Sequence, residues 1–121
     1  AIRAAEAILA QDGILAIMPE GHVSKPPLRE ALPGAAFLAL RLGVPILPVG
    51  TFSKDDWDIF GTLRKKKRKA HVITRIGKPF GPLKPEKEGA RPGREDVQRA
   101  GHEIMRQIAA LLPPETRGAF G

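Results

Sequence analysis

The stretch Ile14-Leu15-Ala16-Ile17-Met18-Pro19-Glu20-Gly21 decides how the chain is read. Five consecutive apolar residues are too few for a helix. They show no polar alternation, so they predict a strand buried on both faces, the pattern of a sheet covered by helices. Pro19 then removes a backbone donor and Gly21 permits a turn. A polar loop follows, through His22, Ser24 and Lys25 to Pro26-Pro27. Upstream, Ile2, Ala5, Ile8 and Leu9 have helical spacing, and Asp12-Gly13 ends that helix.

Downstream, Gly34 to Leu42 is apolar almost all round, as suits a buried helix, and Gly43 ends it. Val44 to Val49 is extended and contains Pro45 and Pro48, which belong at a strand's start or beside a bulge. Strand, helix, strand in that order predicts a βαβ unit with a right-handed parallel crossover. Residues 53–63 read as irregular, around the single Trp57. His71 to Ile76 predicts a third strand, ended by Gly77-Lys78-Pro79, and the glycines and prolines of residues 81–94 predict a loop. Val97, Gly101, Ile104, Met105, Ile108, Leu111 and Leu112 mark a final amphipathic helix. Gly101 inside it costs about 1 kcal/mol relative to Ala, a cost expected to be offset by close packing on the sheet. The fold class expected is therefore α/β, a βαβ-based mixed or parallel sheet with flanking helices.

Composition excludes several classes. The chain has 121 residues, one domain's worth, with no internal repeat. Without Cys there is no disulfide framework, thiolate metal site or Cys nucleophile. The three His lack metal-ligand spacing, which argues against zinc, and no bound cofactor is expected. No apolar run approaches the roughly 18 residues needed to span a bilayer. The chain opens at Ala1 inside what reads as a helix, without Met or a cap residue, so a piece of a longer protein is expected. The net charge is +7, and Arg64, Lys65, Lys66, Lys67, Arg68 and Lys69 supply most of it. The basicity is thus one local patch.

In open α/β sheets ligands bind beyond the carboxyl ends of strands, where the loop from Pro19 is expected. Glu20, Gly21, His22, Ser24, Lys25 and Arg29 are the candidate binding residues. The loop feeds a helix start near Gly34, whose free N–H groups and partial positive charge suit an anion, most simply a phosphate. The plainer reading of the same residues is a solvated connection. Glu20 serves a substrate, or ties the loop to backbone N–H groups, or both. His22 binds phosphate or is simply solvated. Ser24 has no triad partners, so loop hydrogen bonding is favoured over nucleophilic attack.

Met18-Pro19-Glu20-Gly21-His22-Val23-Ser24 resembles the third sequence block of the glycerolipid acyltransferases, Phe-Pro-Glu-Gly-Thr-Arg-Ser. That family is typified by 1-acylglycerol-3-phosphate acyltransferase. Val44-Pro45-Ile46-Leu47-Pro48-Val49 resembles its fourth block, and Gly34-Ala35-Ala36 with Leu38-Ala39-Leu40 resembles the helix between them. Val72 to Phe80 resembles the strand that follows. The resemblance covers residues 2–80, with an expected extension to the last helix. It implies transfer of a fatty acyl group from acyl-CoA or acyl-ACP to a lysophospholipid hydroxyl. It also implies a His general base oriented by an Asp, in a His-x-x-x-x-Asp block. The third block contributes to binding the glycerol phosphate, and Pro45 and Pro48 are expected to shape the pocket.

Departures from the family are specific. No His-x-x-x-x-Asp occurs, since the fifth residue after His22 is Pro27, after His71 Ile76, and after His102 Gln107. The chain alone is therefore expected to be inactive, with no catalytic residue of its own. Residues 1–112 read as a partial acyltransferase domain and 113–121 as a loose tail. His22 and Val23 stand where the family has Thr and Arg, which leaves Lys25 or Arg29 to meet a phosphate. The run Arg64–Lys69 reads as a contact for anionic lipid, each cation being worth about 1 kcal/mol near such a surface, or as a solvated loop. Nucleic acid is disfavoured because no aromatic residue lies within the run. A peripheral position on the cytoplasmic side of a membrane is expected. A sheet without its upstream half predicts self-association. The rival reading is a non-catalytic basic α/β module that binds anionic membranes or nucleic acid.

Overall fold

Two helices with small residues on their facing sides organise the molecule. The computed structural model describes residues 2–21, 26–53, 71–87 and 91–121. Over these it is a small mixed α/β structure, with helices α1 (Ile2–Ala10), α2 (Pro33–Leu42) and α3 (Arg94–Ala109). Strands β1 (Val49–Ser53) and β2 (Val72–Ile76) form a two-stranded antiparallel sheet. No helix among the described residues is long and apolar enough to cross a membrane.

Helix α3 carries apolar side chains three and four residues apart, so one stripe is buried while Arg99, His102 and Arg106 face water. Its start is held by Asp96, whose carboxylate accepts the N–H groups of Gly93 and Glu86, each at 3.1 Å. These bonds and Arg99 hold the Asp96 carboxyl below its ordinary range. Helix α2 ends at Gly43, which takes the left-handed conformation (φ 60°) and donates its N–H to the Ala39 carbonyl. The core forms where Ala36 and Leu40 of α2 meet Ala100 and Ile104 of α3. Ile46, Phe80, Leu83, Val97 and Ile108 pack around it. Helix α1 buries only Ala5 and is tied to α2 by an ion pair between Glu6 and Arg41 at 2.8 Å.

The sheet pairs Val49 with Ile76 through to Ser53 with Val72. Beyond it an isolated antiparallel bridge joins Ile46 to Phe80, with both N–H···O bonds at 2.9 Å. From the bridge to the ladder there are three steps on one side, Ile46 to Val49, and four on the other, Ile76 to Phe80. The extra residue is a bulge at Gly77-Lys78-Pro79. Pro48 is buried immediately before β1, its carbonyl taking the Gly77 N–H at 2.9 Å, and Pro45 is exposed just before the bridge. Both prolines thus stand at the strand's start and beside a bulge, as their missing donors require.

Several expectations are corrected. Ile14–Met18 is not a strand buried on both faces: Ile14 is 94% exposed and Met18 60%. An apolar run becomes an inner strand only when neighbours pair with it, and the only ladder among the described residues is β1–β2. The parallel βαβ unit is replaced by antiparallel pairing of β1 with β2. The strand expected over 44–49 begins as a ladder only at Val49, because Pro45 and Pro48 have no N–H to donate. Gly101 packs against Ala31 and Ala36 rather than the sheet. Helix α2 is buried on one side only, through Ala36, Ala39 and Leu40.

The segment after Leu112 carries two short 3-10 turns, Pro114–Thr116 and Gly118–Phe120. The Leu28 N–H donates to the Thr116 carbonyl at 3.0 Å, and Arg117 Nε donates to the Leu112 carbonyl at 3.0 Å. The Phe120 ring lies 5.0 Å from that of His102. Reading the tail as loose did not anticipate these contacts.

Candidate functional site

The loop from Pro19 to Leu32 is closed on itself by two hydrogen bonds. At its base the Leu32 N–H donates to the Pro19 carbonyl at 2.7 Å. One step further out, Glu20 Oε2 accepts the backbone N–H of Arg29 at 3.0 Å. Between these bonds the chain turns sharply, the Gly21 N–H donating to the Met18 carbonyl at 2.9 Å. Gly21 has φ 84°, and a Cβ there would lie 2.6 Å from Leu32 Cδ1. The left-handed backbone therefore favours glycine, whereas the flexible end of the exposed Leu32 side chain can shift aside. On the outer side, Leu28 is anchored to the C-terminal segment through Thr116.

Helix α2 starts directly after the clasp. Leu32 stands at its N-cap position and offers no side-chain acceptor, and Pro33 at the first turn has no N–H. The next N–H groups, of Gly34 and Ala35, thus open the helix without a side-chain cap, at its partially positive end. Arg29, exposed on the same loop, adds a cation. This arrangement suits an anion in front of α2. Glu20, half-buried, is engaged as an acceptor, so its described role is that of a clamp on the loop.

The structure therefore brings together Glu20, Gly21 and Arg29. His22, Ser24 and Lys25 lie outside the described residues, as does the whole run Arg64–Lys69. Pro45 and Pro48 take places in the strand pairing described above. Among the described residues no group of His, Asp and Glu comes together that could hold a metal ion. Sequence reasoning missed Leu32, whose N–H closes the loop and whose side chain fills the space that Gly21 leaves. Its one sequence signal is its place before Pro33, where a helix start is expected. The tie from Leu28 to Thr116 has no local sequence signal at all, because it joins residues far apart in the chain.

Comparison of the chain with models of known protein families, with curated proteins and with solved structures yields no match.

Proposed function

We propose that this chain is the carboxy-terminal part of a glycerolipid acyltransferase, contributing acceptor-pocket residues to transfer of a fatty acyl group from acyl-CoA or acyl-ACP. The acceptor is a lysophospholipid hydroxyl, as in 1-acylglycerol 3-phosphate, and the pathway is phospholipid biosynthesis. The observation that carries this reading is the clasped Pro-Glu-Gly loop opening onto the uncapped start of α2. A held loop in front of free helix N–H groups suits the phosphate of such an acceptor. Arg29 or Lys25 stands in for the family arginine whose place Val23 takes. The general base has no counterpart among these 121 residues, so the reading requires it from a preceding segment of the parent protein. The parent meets its lipid substrates as a peripheral protein on the cytoplasmic face of a membrane. The chain without that segment self-associates through its exposed apolar residues.

The direct test is the coding sequence upstream of Ala1. The reading expects an in-frame His-x-x-x-x-Asp followed by Gly-x-x-Phe-x-x-Arg. It also expects acyl transfer to a lysophospholipid by the longer protein and none by the 121 residues alone. A start codon at or just before Ala1, with neither block, would sink it.

The second reading, a basic module for anionic membranes or nucleic acid, is favoured by one observation, the concentration of positive charge in Arg64–Lys69.

A further inference from the structure

The segment that follows α3 has a pattern of its own. Pro113, Thr116, Arg117 and Phe120 are half-buried, whereas Pro114, Glu115, Gly118 and Ala119 are exposed. Spacing by three and four lays one side of the two 3-10 turns on the protein. The near end of the segment is tied to the end of α3. Arg117 Nε donates to the Leu112 carbonyl at 3.0 Å, and the Thr116 hydroxyl and N–H donate to the Pro113 carbonyl at 2.8 and 3.0 Å. The far end is tied to the middle of α3, where the Phe120 ring lies 5.0 Å from that of His102. Between these anchors the segment meets the outer part of the Pro19–Leu32 loop. The Thr116 carbonyl accepts the Leu28 N–H at 3.0 Å. At Gly118, with φ 57°, a Cβ would stand 3.1 Å from both the Leu28 carbonyl oxygen and Pro27 Cβ. Neither neighbour is the free end of a flexible side chain, so this close passage of main chain by main chain favours glycine.

Two successive N–H groups of the loop are thus held by different parts of the chain, Leu28 by Thr116 and Arg29 by Glu20. Only two soft dihedrals separate these N–H groups, so a shift at one is passed to the other. We propose that residues 113–120 form a strap that positions the candidate loop, holding Leu28 and Arg29 as one unit with the Glu20 clasp. Release of the strap from α3 or from Leu28 opens the clasp. Thr116 and Gly118 are then positioning residues for Arg29. Such coupling is reciprocal, so opening the clasp loosens the strap to the same degree. That Arg29 is positioned for a phosphate rests on the function proposed above. The strap itself is read without any ligand, so the two ideas fail separately.

The test is amide hydrogen exchange on the 121-residue chain with no ligand added. Gly118→Val puts a branched side chain into a left-handed turn and against Leu28. Exchange at Leu28 is expected to quicken about tenfold, through loss of one backbone hydrogen bond with its packing. Exchange at Arg29 is expected to quicken by a similar factor, although its own acceptor, Glu20, is untouched. Met105, fully buried in α3, keeps its rate. Phe120→Ala frees the far anchor on His102 and is expected to repeat the pattern in smaller measure, should the valine variant fold poorly. Glu20→Ala is expected in return to quicken Leu28. Because either release opens the same unit, Gly118→Val combined with Glu20→Ala should quicken Leu28 little beyond the larger single effect, whereas independent contacts would multiply. Unchanged Arg29 exchange in folded strap variants, multiplied effects in the double variant, or equal quickening at Met105 would each overturn the proposal.

Discussion

Glu20 Oε2 and the backbone N–H of Arg29 are 3.0 Å apart, and this bond closes the candidate loop across nine positions of sequence. Glu20→Ala removes the acceptor and leaves the Arg29 N–H to water, at a cost of about 1 kcal/mol. Glu20→Gln keeps an acceptor oxygen and is expected to retain most of the closure. Amide hydrogen exchange at Arg29 reads the effect directly: faster in the Ala variant, close to the parent in the Gln variant. In an active parent protein, Glu20→Ala should lower kcat/KM while anionic-vesicle binding persists. Unchanged turnover in a folded Ala variant would remove Glu20 from the site.

Gly21 is expected to be intolerant of any side chain. Gly21→Ala forces a Cβ into the left-handed region and to 2.6 Å from Leu32 Cδ1. A destabilisation of about 1–2 kcal/mol is expected, chiefly from backbone strain. Urea denaturation measures it. A neutral result would mean that the turn adopts another conformation.

Gly101 and Gly50 should respond in opposite directions. A Cβ at Gly101 would sit 3.5 Å from Ala31 Cβ and 3.9 Å from Ala36 Cβ, ordinary contact distances inside a helix. Gly101→Ala is therefore expected to stabilise by about 1 kcal/mol, through helix propensity and a less flexible unfolded chain. A Cβ at Gly50 would meet Leu111 Cβ at 3.0 Å and Leu112 Cδ2 at 3.1 Å. Gly50→Ala should destabilise by about 1 kcal/mol or more by pushing β1 off the end of α3. Denaturation midpoints of the two variants decide the matter together.

Asp96 gives the fold an acid-sensitive start to α3. The N–H of Glu86, then that of Gly93, and then the charge of Arg99 hold its carboxyl below the ordinary value of 3.8. Glu103 is likewise lowered from 4.5, chiefly by its hydrogen bonds from Arg106 and Gln107. A lowered carboxyl stabilises the fold above its unfolded value, and that contribution is lost as pH falls through the folded one. Thermal midpoints should therefore drop progressively as pH falls below the 3.8–4.5 range of these groups. Asp96→Asn should flatten part of that decline. A decline identical in the Asn variant would show that other groups control acid unfolding.

The run Arg64–Lys69 separates surface binding from pocket chemistry. Neutralising all six should cut binding to vesicles rich in anionic lipid by several orders of magnitude at low salt, at about 1 kcal/mol per cation. Binding to neutral vesicles should not change. Vesicle co-sedimentation reads both. Equal binding before and after neutralisation would reduce the run to a solvated loop.

What was legible in the sequence was local. The three helices follow from spacing within one stretch each: α1 and α2 were expected over 2–11 and 34–42, and found over Ile2–Ala10 and Pro33–Leu42. Strand β2 and the loop after Pro19 were equally visible, one from its apolar alternation, the other from its prolines and glycines. Glu20, Gly21 and Arg29 were singled out from the same loop, but Leu32 and Thr116 were not.

The tertiary structure alone decided what pairs with what. It set β1 against β2 antiparallel, placed a bulge at Gly77-Lys78-Pro79, and turned Gly101 toward α2. It also left Ile14 almost fully in water. The physical reason is that a helix closes its hydrogen bonds within itself, whereas a strand has none until a distant segment supplies them. The residues of a strand state that it can be buried; only its neighbours determine whether it is.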